Sequence, residues 1–296
     1  MQELHVAVLD YNSTPSYTSL SLLRELKRRG HHAYYLTIDK FACDIKEGKV
    51  EVNYQGKSID KIDLFFLRTI GTSINFEKME YRINILRCIE SLKKPVINPV
   101  EGYLKARNKF TCLCLLANKG IKVPETFVTE NEFLAYEFVK KMGKCVVKPI
   151  IGSRGVGSFL IDDADVGFRR IQELKEKGYS IYLQRYINKP NRDIRVIVVG
   201  DEVLGGMARE SNYWKTNVYQ GAEAKPIILP KEVENLALKV TKELGLMYSG
   251  VDIAEENGDY YVLEVNSSPL WHGFLSSTGI NPAIKLIDLA ERLVKK

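Results

Sequence analysis

Val251-Asp252-Ile253-Ala254-Glu255-Glu256-Asn257-Gly258-Asp259-Tyr260-Tyr261-Val262-Leu263-Glu264-Val265-Asn266 is the stretch whose reading decides the fold. Two β-rich runs flank Glu256-Asn257-Gly258-Asp259, residues that favour a tight turn, so the stretch reads as a hairpin. Side chains alternate along a strand, so Glu264 and Asn266 share one face while Leu263 and Val265 point into a core. With Asp252 across the hairpin on the same face, two carboxylates and an amide oxygen converge. All-oxygen sets of this kind suit a hard cation such as magnesium beside a phosphate. Read alone, the stretch is first a surface hairpin with its polar residues outward, and it is the rest of the chain that turns the reading toward a cation site.

A second constellation lies upstream, in Cys145-Val146-Val147-Lys148-Pro149-Ile150-Ile151-Gly152-Ser153-Arg154-Gly155-Val156-Gly157-Ser158-Phe159. An apolar strand delivers Lys148 at its end, and a glycine-rich loop leads into a further strand, Phe159-Leu160-Ile161. Glycines let backbone N–H groups approach phosphate oxygens, and a lysine supplies a point charge. A Walker A loop or a Rossmann fingerprint would open a helix; this loop joins strand to strand. A glycine-rich hairpin without a ligand is the alternative.

Between the two lie a strand, Ser180 to Ile187, and a hairpin, Asp193 to Arg209, turning at Gly200-Asp201. The order strand-Lys148, glycine loop, Gln184 strand, Asp193-x-Arg195 hairpin, Arg209, Asp252, Glu264-x-Asn266 resembles the ATP-grasp superfamily, and more narrowly the RimK-type carboxylate–amine ligases. The resemblance runs from about Asn98 to Leu293. Trp214-Lys215-Thr216-Asn217 followed by Gly221 is similar to a segment of the amino-acid-adding members. These include lysine-biosynthesis ligases acting on a carrier protein and archaeal glutamate ligases that modify cofactors.

Composition sets bounds. A chain of 296 residues holds two or more domains, and 45% hydrophobic with 27% charged residues is ordinary for a globular protein. No apolar run approaches the ~20 residues that span a bilayer, and the N-terminus opens into a strand without a signal peptide's basic start. A cytoplasmic protein with no membrane partner is expected. The net charge of +6 suits an anionic ligand, and the absence of a basic run speaks against nucleic acid. Five cysteines without a C-x-x-C pair read as free, mostly buried thiols rather than a zinc site.

Strand–helix alternation over residues 1–97 predicts a small parallel α/β domain. Its elements are a strand at 5–9, a helix from Ser19 to Arg29 with Leu20, Leu23 and Leu26 inward, strands at 33–37, 63–68 and 96–98, and a helix at 77–91. A central domain at 98–185 starts with one long helix, Val100 to Lys119, with Leu104, Phe110, Leu113 and Leu116 inward and Lys105 and Arg107 solvated. The last domain, 186–296, holds the oxygen-ligand hairpin and helices at 231–244 and 280–296. The expected fold is thus α/β (α+β), an ATP-grasp fold preceded by a small parallel pre-ATP-grasp domain.

The resemblance implies site roles. Lys109 and Lys148 contact the α- and β-phosphates of ATP, under backbone N–H groups of Ser153, Gly155 and Gly157. Gln184, Tyr186 and Ile187 fall beside adenine, and Asp193 near the ribose. Asp252, Glu264 and Asn266 hold two magnesium ions, or manganese, with Glu264 bridging. Arg209 faces the transferring phosphate and acyl oxygen and shares the catalytic assignment with Asn266. Arg195, Lys215, Asn217 and Arg68 are the substrate-side candidates. Arg185 departs from the Glu that many RimK-type ligases carry after Gln, which removes a side-chain contact to adenine or ribose. Trp271 either packs or stacks on an aromatic substrate, and His272 is a loop residue rather than a metal ligand.

The expected activity is ATP-dependent joining of an amino acid, L-glutamate first, to a carboxylate of a small-molecule coenzyme or peptide through an acyl phosphate. The alternatives are an amino-group-carrier ligase of lysine or arginine biosynthesis and an ATP-grasp small-molecule kinase. Acceptor, linkage and oligomeric state are open, a homo-oligomer included.

Overall fold

The computed structural model describes residues 3–72, 75–216 and 221–295. Its N-terminal part runs β1 (His5–Asp10), α1 (Tyr17–Arg28), β2 (His32–Thr37), β3 (Phe41–Lys46), β4 (Lys49–Tyr54), β5 (Lys57–Ser58), β6 (Leu64–Leu67), α2 (Phe76–Ser91) and β7 (Val96–Ile97). Strands β2-β1-β6-β7 form a parallel sheet, with β1 in register Val6↔Leu64 against β6. A parallel sheet is covered on both faces, and β1 shows it residue by residue. Val6 and Val8 join a core with Leu22 and Leu26 of α1, while Ala7 and Leu9 join another with Ile85 and Leu86 of α2. Leu22 and Leu26, with Thr18, Ser19 and Glu25, form the buried face of α1, and Leu23 is only partly buried. The inward stripe is therefore rotated from the Leu20-Leu23-Leu26 expectation. The antiparallel ribbon β3-β4-β5 is an element the sequence reading lacked.

The next segment comprises α3 (Val100–Arg107), α4 (Lys109–Asn118), β8 (Thr126–Thr129), α5 (Glu132–Met142), β9 (Cys145–Val147), β10 (Phe159–Ile161), α6 (Ala164–Glu176) and β11 (Ile181–Arg185). The single helix expected over 100–119 is two. Asn108 is extended (φ −93°, ψ 106°) and its side chain accepts from the Thr111 N–H, so it ends α3 and caps α4. Leu113 and Leu116 are buried as expected, but Phe110 is 49% exposed. These two leucines pack against the C-terminal sheet rather than the central one. The central sheet has order β10-β9-β11-β8 and is backed by α5 and α6.

The C-terminal part holds β12 (Arg192–Val199), β13 (Glu202–Glu210), β14 (Glu223–Ile227), α7 (Lys231–Glu243), β15 (Tyr248–Glu256), β16 (Asp259–Asn266), α8 (His272–Thr278) and α9 (Pro282–Val294). Its sheet order is β14-β13-β12-β15-β16; β14 and α8 are further additions to the expected set. Asn257 (φ 53°) and Gly258 (φ 84°) form the left-handed turn that closes β15 on β16. Asn98, fully buried after β7, ties the ends of this hairpin to the N-terminal domain. Its amide donates to the carbonyls of Tyr248 and Ser267 and accepts from the N–H groups of Met247 and Tyr248, at 2.5–2.9 Å. Among the described residues no helix is long and apolar enough to cross a membrane.

Candidate functional site

The face of the C-terminal sheet that meets the central sheet carries a row of charges. Antiparallel register pairs Asp193 with Arg209 across β12 and β13, Arg195 with Asp252 across β12 and β15, and Asp252 with Glu264 across β15 and β16. Asp193 and Arg195 are two residues apart on one strand and so share that face. Arg209 forks onto Asp193 (Nε–Oδ1 2.6 Å, Nη2–Oδ2 2.8 Å) and reaches Asp252 (3.0 Å), and Arg195 forks onto Asp252 at 2.7 Å twice. Burial pushes the Asp252 carboxyl up, but the two guanidinium groups outweigh it and hold it below the ordinary carboxylate range. Burial likewise works against the Arg209 charge, and Asp193 and Asp252 more than restore it.

Asp252 and Glu264 thus sit side by side as the hairpin reading requires. Asn266 pairs with Gly250 and its amide nitrogen donates to that carbonyl at 3.5 Å, which leaves the amide oxygen for a cation. Leu263 departs from expectation. The register shifts after Asp252, so that Ile253 faces Val262 and Leu263 is the extra residue of a bulge. Val262 and Val265 enter the core, and Leu263 lines the cleft. Among the described residues no three His, Cys, Asp or Glu gather to hold a metal. Two carboxylates and an amide oxygen do fit magnesium, which takes few protein oxygens and completes its shell from phosphates and water.

Facing this row, the central sheet supplies cations. Lys148 follows β9 and donates from Nζ to Gln184 Oε1 (2.6 Å), while the Gln184 amide donates to Thr126 (3.2 Å). Burial pulls the Lys148 ammonium down to about 8 against the pull of Glu264. Lys109, first residue of α4, donates to the Gly152 carbonyl at 2.7 Å and lies 3.7 Å from Glu264. Ser153 and Gly155 line the same cleft of about 800 Å³, and Lys215 reaches over from the C-terminal side to the Gly155 carbonyl at 3.1 Å. Gly157 (φ 75°) shapes the loop but packs near Pro149 instead of lining the cleft. At the far end lie Tyr186 and Ile187. The Tyr186 N–H donates to the Lys144 carbonyl and is therefore engaged within the protein.

Sequence reasoning missed Lys189 in this cleft and read Thr216 only as part of the Trp214–Asn217 segment. Lys189 donates to Thr216 (2.6 Å) and lies 3.5 Å from Asp193; Thr216 donates in turn to Asp193. A lysine four residues before the Asp193-x-Arg195 pair was the available signal. Asn217 lies outside the described residues. Arg185, at the rim, bridges Glu125 of the central part to Glu256 of β15 (3.0 Å for the latter).

A second basin, of about 1800 Å³, opens between the N-terminal domain and the hairpin. Gly152, Ser153, Arg209 and Glu264 line both cavities, so the two meet there. Its N-terminal wall is the carboxyl end of the parallel sheet at β1 and β6, where strand order reverses and crevices form. Arg107, expected in solvent, is in this wall. Arg195 and Asn266 line the basin as well. Arg68 also reaches it but is 4% exposed; it donates to Tyr248, Thr18 and the Pro269 carbonyl and lies over the Trp271 ring. Its donors are largely satisfied within the protein. Trp271 is fully buried, so it packs and does not stack on a substrate. His272 opens α8 instead of lying in a loop, and meets the Tyr17 ring edge-on at 4.9 Å.

Residues 106–290 match the RimK-like ATP-grasp domain and residues 4–102 the RimK PreATP-grasp domain. The chain is 35% identical over 253 residues to a tetrahydromethanopterin:alpha-L-glutamate ligase of Methanocaldococcus jannaschii, covering 83% of this chain and 84% of that protein. It is 36% identical over 267 residues to the alpha-aminoadipate–LysW ligase LysX of Saccharolobus solfataricus, covering 85% and 97%. Among solved structures it is similar to the ATP-grasp ligase PsnB complexed with a precursor variant, Mg and ADP, with a TM-score of 0.77 at 21% identity over 99% of both chains.

Proposed function

The chain belongs to the RimK-like ATP-grasp family and is an ATP-dependent carboxylate–amine ligase, and from that premise we propose that it adds an amino acid, L-glutamate first, to a carboxylate of a coenzyme or peptide. The observation that carries this reading is the junction of the two cavities at Arg209 and Glu264. ATP fills the smaller cleft, with Lys109, Lys148 and Lys215 on its phosphates and the Ile187 N–H on its base. The acceptor lies in the larger basin, whose volume exceeds what one amino acid needs.

The chemistry follows from placement. The acceptor carboxylate attacks the γ-phosphorus, an O–P bond forms, the β–γ bridge breaks and ADP leaves. The amine then attacks the acyl carbon, phosphate departs, and the nitrogen loses a proton. Magnesium, two ions on this reading, would be held by Asp252, Glu264 and Asn266 and would neutralise phosphate charge. Arg209 stabilises the transferring phosphoryl group and then the acyl oxyanion, where one fixed donor contributes about 3–4 kcal/mol. Lys148 holds the β-phosphate in the position that in-line attack requires.

The likeness to an alpha-aminoadipate–LysW ligase favours one second reading, a carrier-protein acceptor. ADP release measured across a panel of amino acids and acceptors, carrier protein included, decides between them. Release that needs both an amino acid and a carboxylate acceptor supports the ligase. Release with a hydroxyl acceptor and no amine would make it a kinase.

A further inference from the structure

Two arginines at the carboxyl end of β6 have no acidic partner among the described residues. Arg82, 8% exposed, donates to the Ile70 carbonyl at 2.8 Å and lies under the Tyr11 ring at 4.5 Å. Arg107 donates to the Gly71 carbonyl at 2.6 Å and touches the Met79 sulfur at 3.2 Å. Among the described residues no carboxylate lies within ion-pair distance of either. Arg107 is partly buried, and a cation drawn from water without a counter-ion carries a desolvation cost, which pulls its guanidinium below its ordinary range.

The surroundings form a built wall. Tyr103 accepts from the Ile70 N–H through its hydroxyl, and a Cβ on Gly71 (φ 74°) would fall 2.5 Å from the Tyr11 ring. Arg107 uses two contacts of a five-donor fork, and the side chain lines the second basin. Ser16, N-cap of the twelve-residue α1, lines it too and adds the positive end of a helix whose first turn has no acid. The basin's own carboxylates are engaged elsewhere. Asp10 accepts from the Tyr11 and Asn12 N–H groups and from Ser19, and Glu264 faces Lys109. The break at Asn108 makes the arrangement, since it aims Arg107 into the basin and Lys109 into the nucleotide cleft.

We propose that Arg107 is an anion subsite of the second basin, taking a carboxylate or phosphate of the acceptor other than the carboxylate being activated. The acceptor is then at least doubly anionic. This rests on the ligase reading above, and the test separates the two. The wild-type protein, loaded with saturating MgADP so that the nucleotide cleft is filled, is titrated calorimetrically with inorganic phosphate, glutarate and acetate. Phosphate or glutarate should bind, acetate more weakly, and whichever binds names the group. Arg107→Gln should weaken that binding about tenfold or more, the scale of one charged two-point contact, with MgADP affinity unchanged. Arg107→Lys keeps the charge beneath the loop but not the fork, so it should fall between, and it carries the comparison if the glutamine variant does not fold. MgADP binding with anion affinity indifferent to Arg107, or absent in the wild type, overturns the subsite alone. A wild-type protein that binds no MgADP overturns the ligase reading and the subsite with it.

Discussion

Arg195 and Asp252 face each other across β12 and β15 and are joined twice at 2.7 Å, so the carboxylate proposed to hold magnesium is held against a guanidinium. Arg209 closes on the same carboxylate from the other side. Without nucleotide, a divalent ion must compete with two fixed cations. With nucleotide, the phosphates offer both arginines other partners. Metal and nucleotide should therefore bind together. Manganese titrated into the nucleotide-free protein and followed by electron paramagnetic resonance should bind weakly, and Arg195→Gln should tighten it about tenfold, near 1.4 kcal/mol. Equal affinities in the two proteins would show that the ion pair does not gate the metal.

The Lys148 ammonium, drawn down to about 8 by burial, gives a pH signature. Its folded value lies below its unfolded one, so the unfolded chain binds more protons from about pH 8 upward to the ordinary lysine value, and this group's contribution to stability rises with pH across that window. Nucleotide binding runs the other way. Phosphates need the charged form, so ATP affinity should fall as pH rises through 8 to 9.5. Lys148→Ala should bind ATP weakly and lose that pH slope; a variant with wild-type affinity and slope would remove Lys148 from the phosphate site.

Much of the site is legible in the sequence. The Asn257-Gly258 turn set the hairpin and the register from Glu256↔Asp259 to Ile253↔Val262, but that register continued would put Asp252 opposite Leu263, and it is the bulge that brings Asp252 to Glu264. The bulge at Leu263 was not readable, since strict alternation sends that residue inward. The break at Asn108 was hidden because apolar residues continue on both sides of it, although Asn is a common cap. That one omission cost the placement of Arg107, which a continuous helix leaves in solvent. The ribbon β3-β4-β5 did carry a signal, since Phe41, Cys43 and Ile45 and then Val50, Val52 and Tyr54 alternate at strand spacing on either side of Glu47-Gly48, but it interrupts the strand–helix alternation that guided the reading.

Arg209 and Glu264 line both cavities, and substitutions there should strike turnover more than binding. Arg209→Lys keeps a charge but loses the fork, and should reduce kcat by about 10²-fold with the KM for ATP little changed. Glu264→Gln should lower kcat by about 10²–10³-fold at saturating magnesium. Near-normal turnover in either variant would place the chemistry elsewhere.

Arg185 accounts for its own departure from the family's usual Glu. It bridges Glu125 and Glu256 between the two sheets. Arg185→Glu would set three carboxylates together and should lower stability by about 1–2 kcal/mol, a few degrees in Tm. Arg185→Gln should cost less. An Arg185→Glu protein as stable as wild type by thermal denaturation would show that the bridge carries no weight.

The central claim is that an acceptor carboxylate in the second basin is phosphorylated by ATP in the first. It is tested most directly by oxygen-isotope transfer. With an acceptor carboxylate labelled with oxygen-18, one labelled oxygen should appear in the inorganic phosphate released for each amide bond formed, read by mass spectrometry. Amide formation that releases unlabelled phosphate would contradict the acyl-phosphate route.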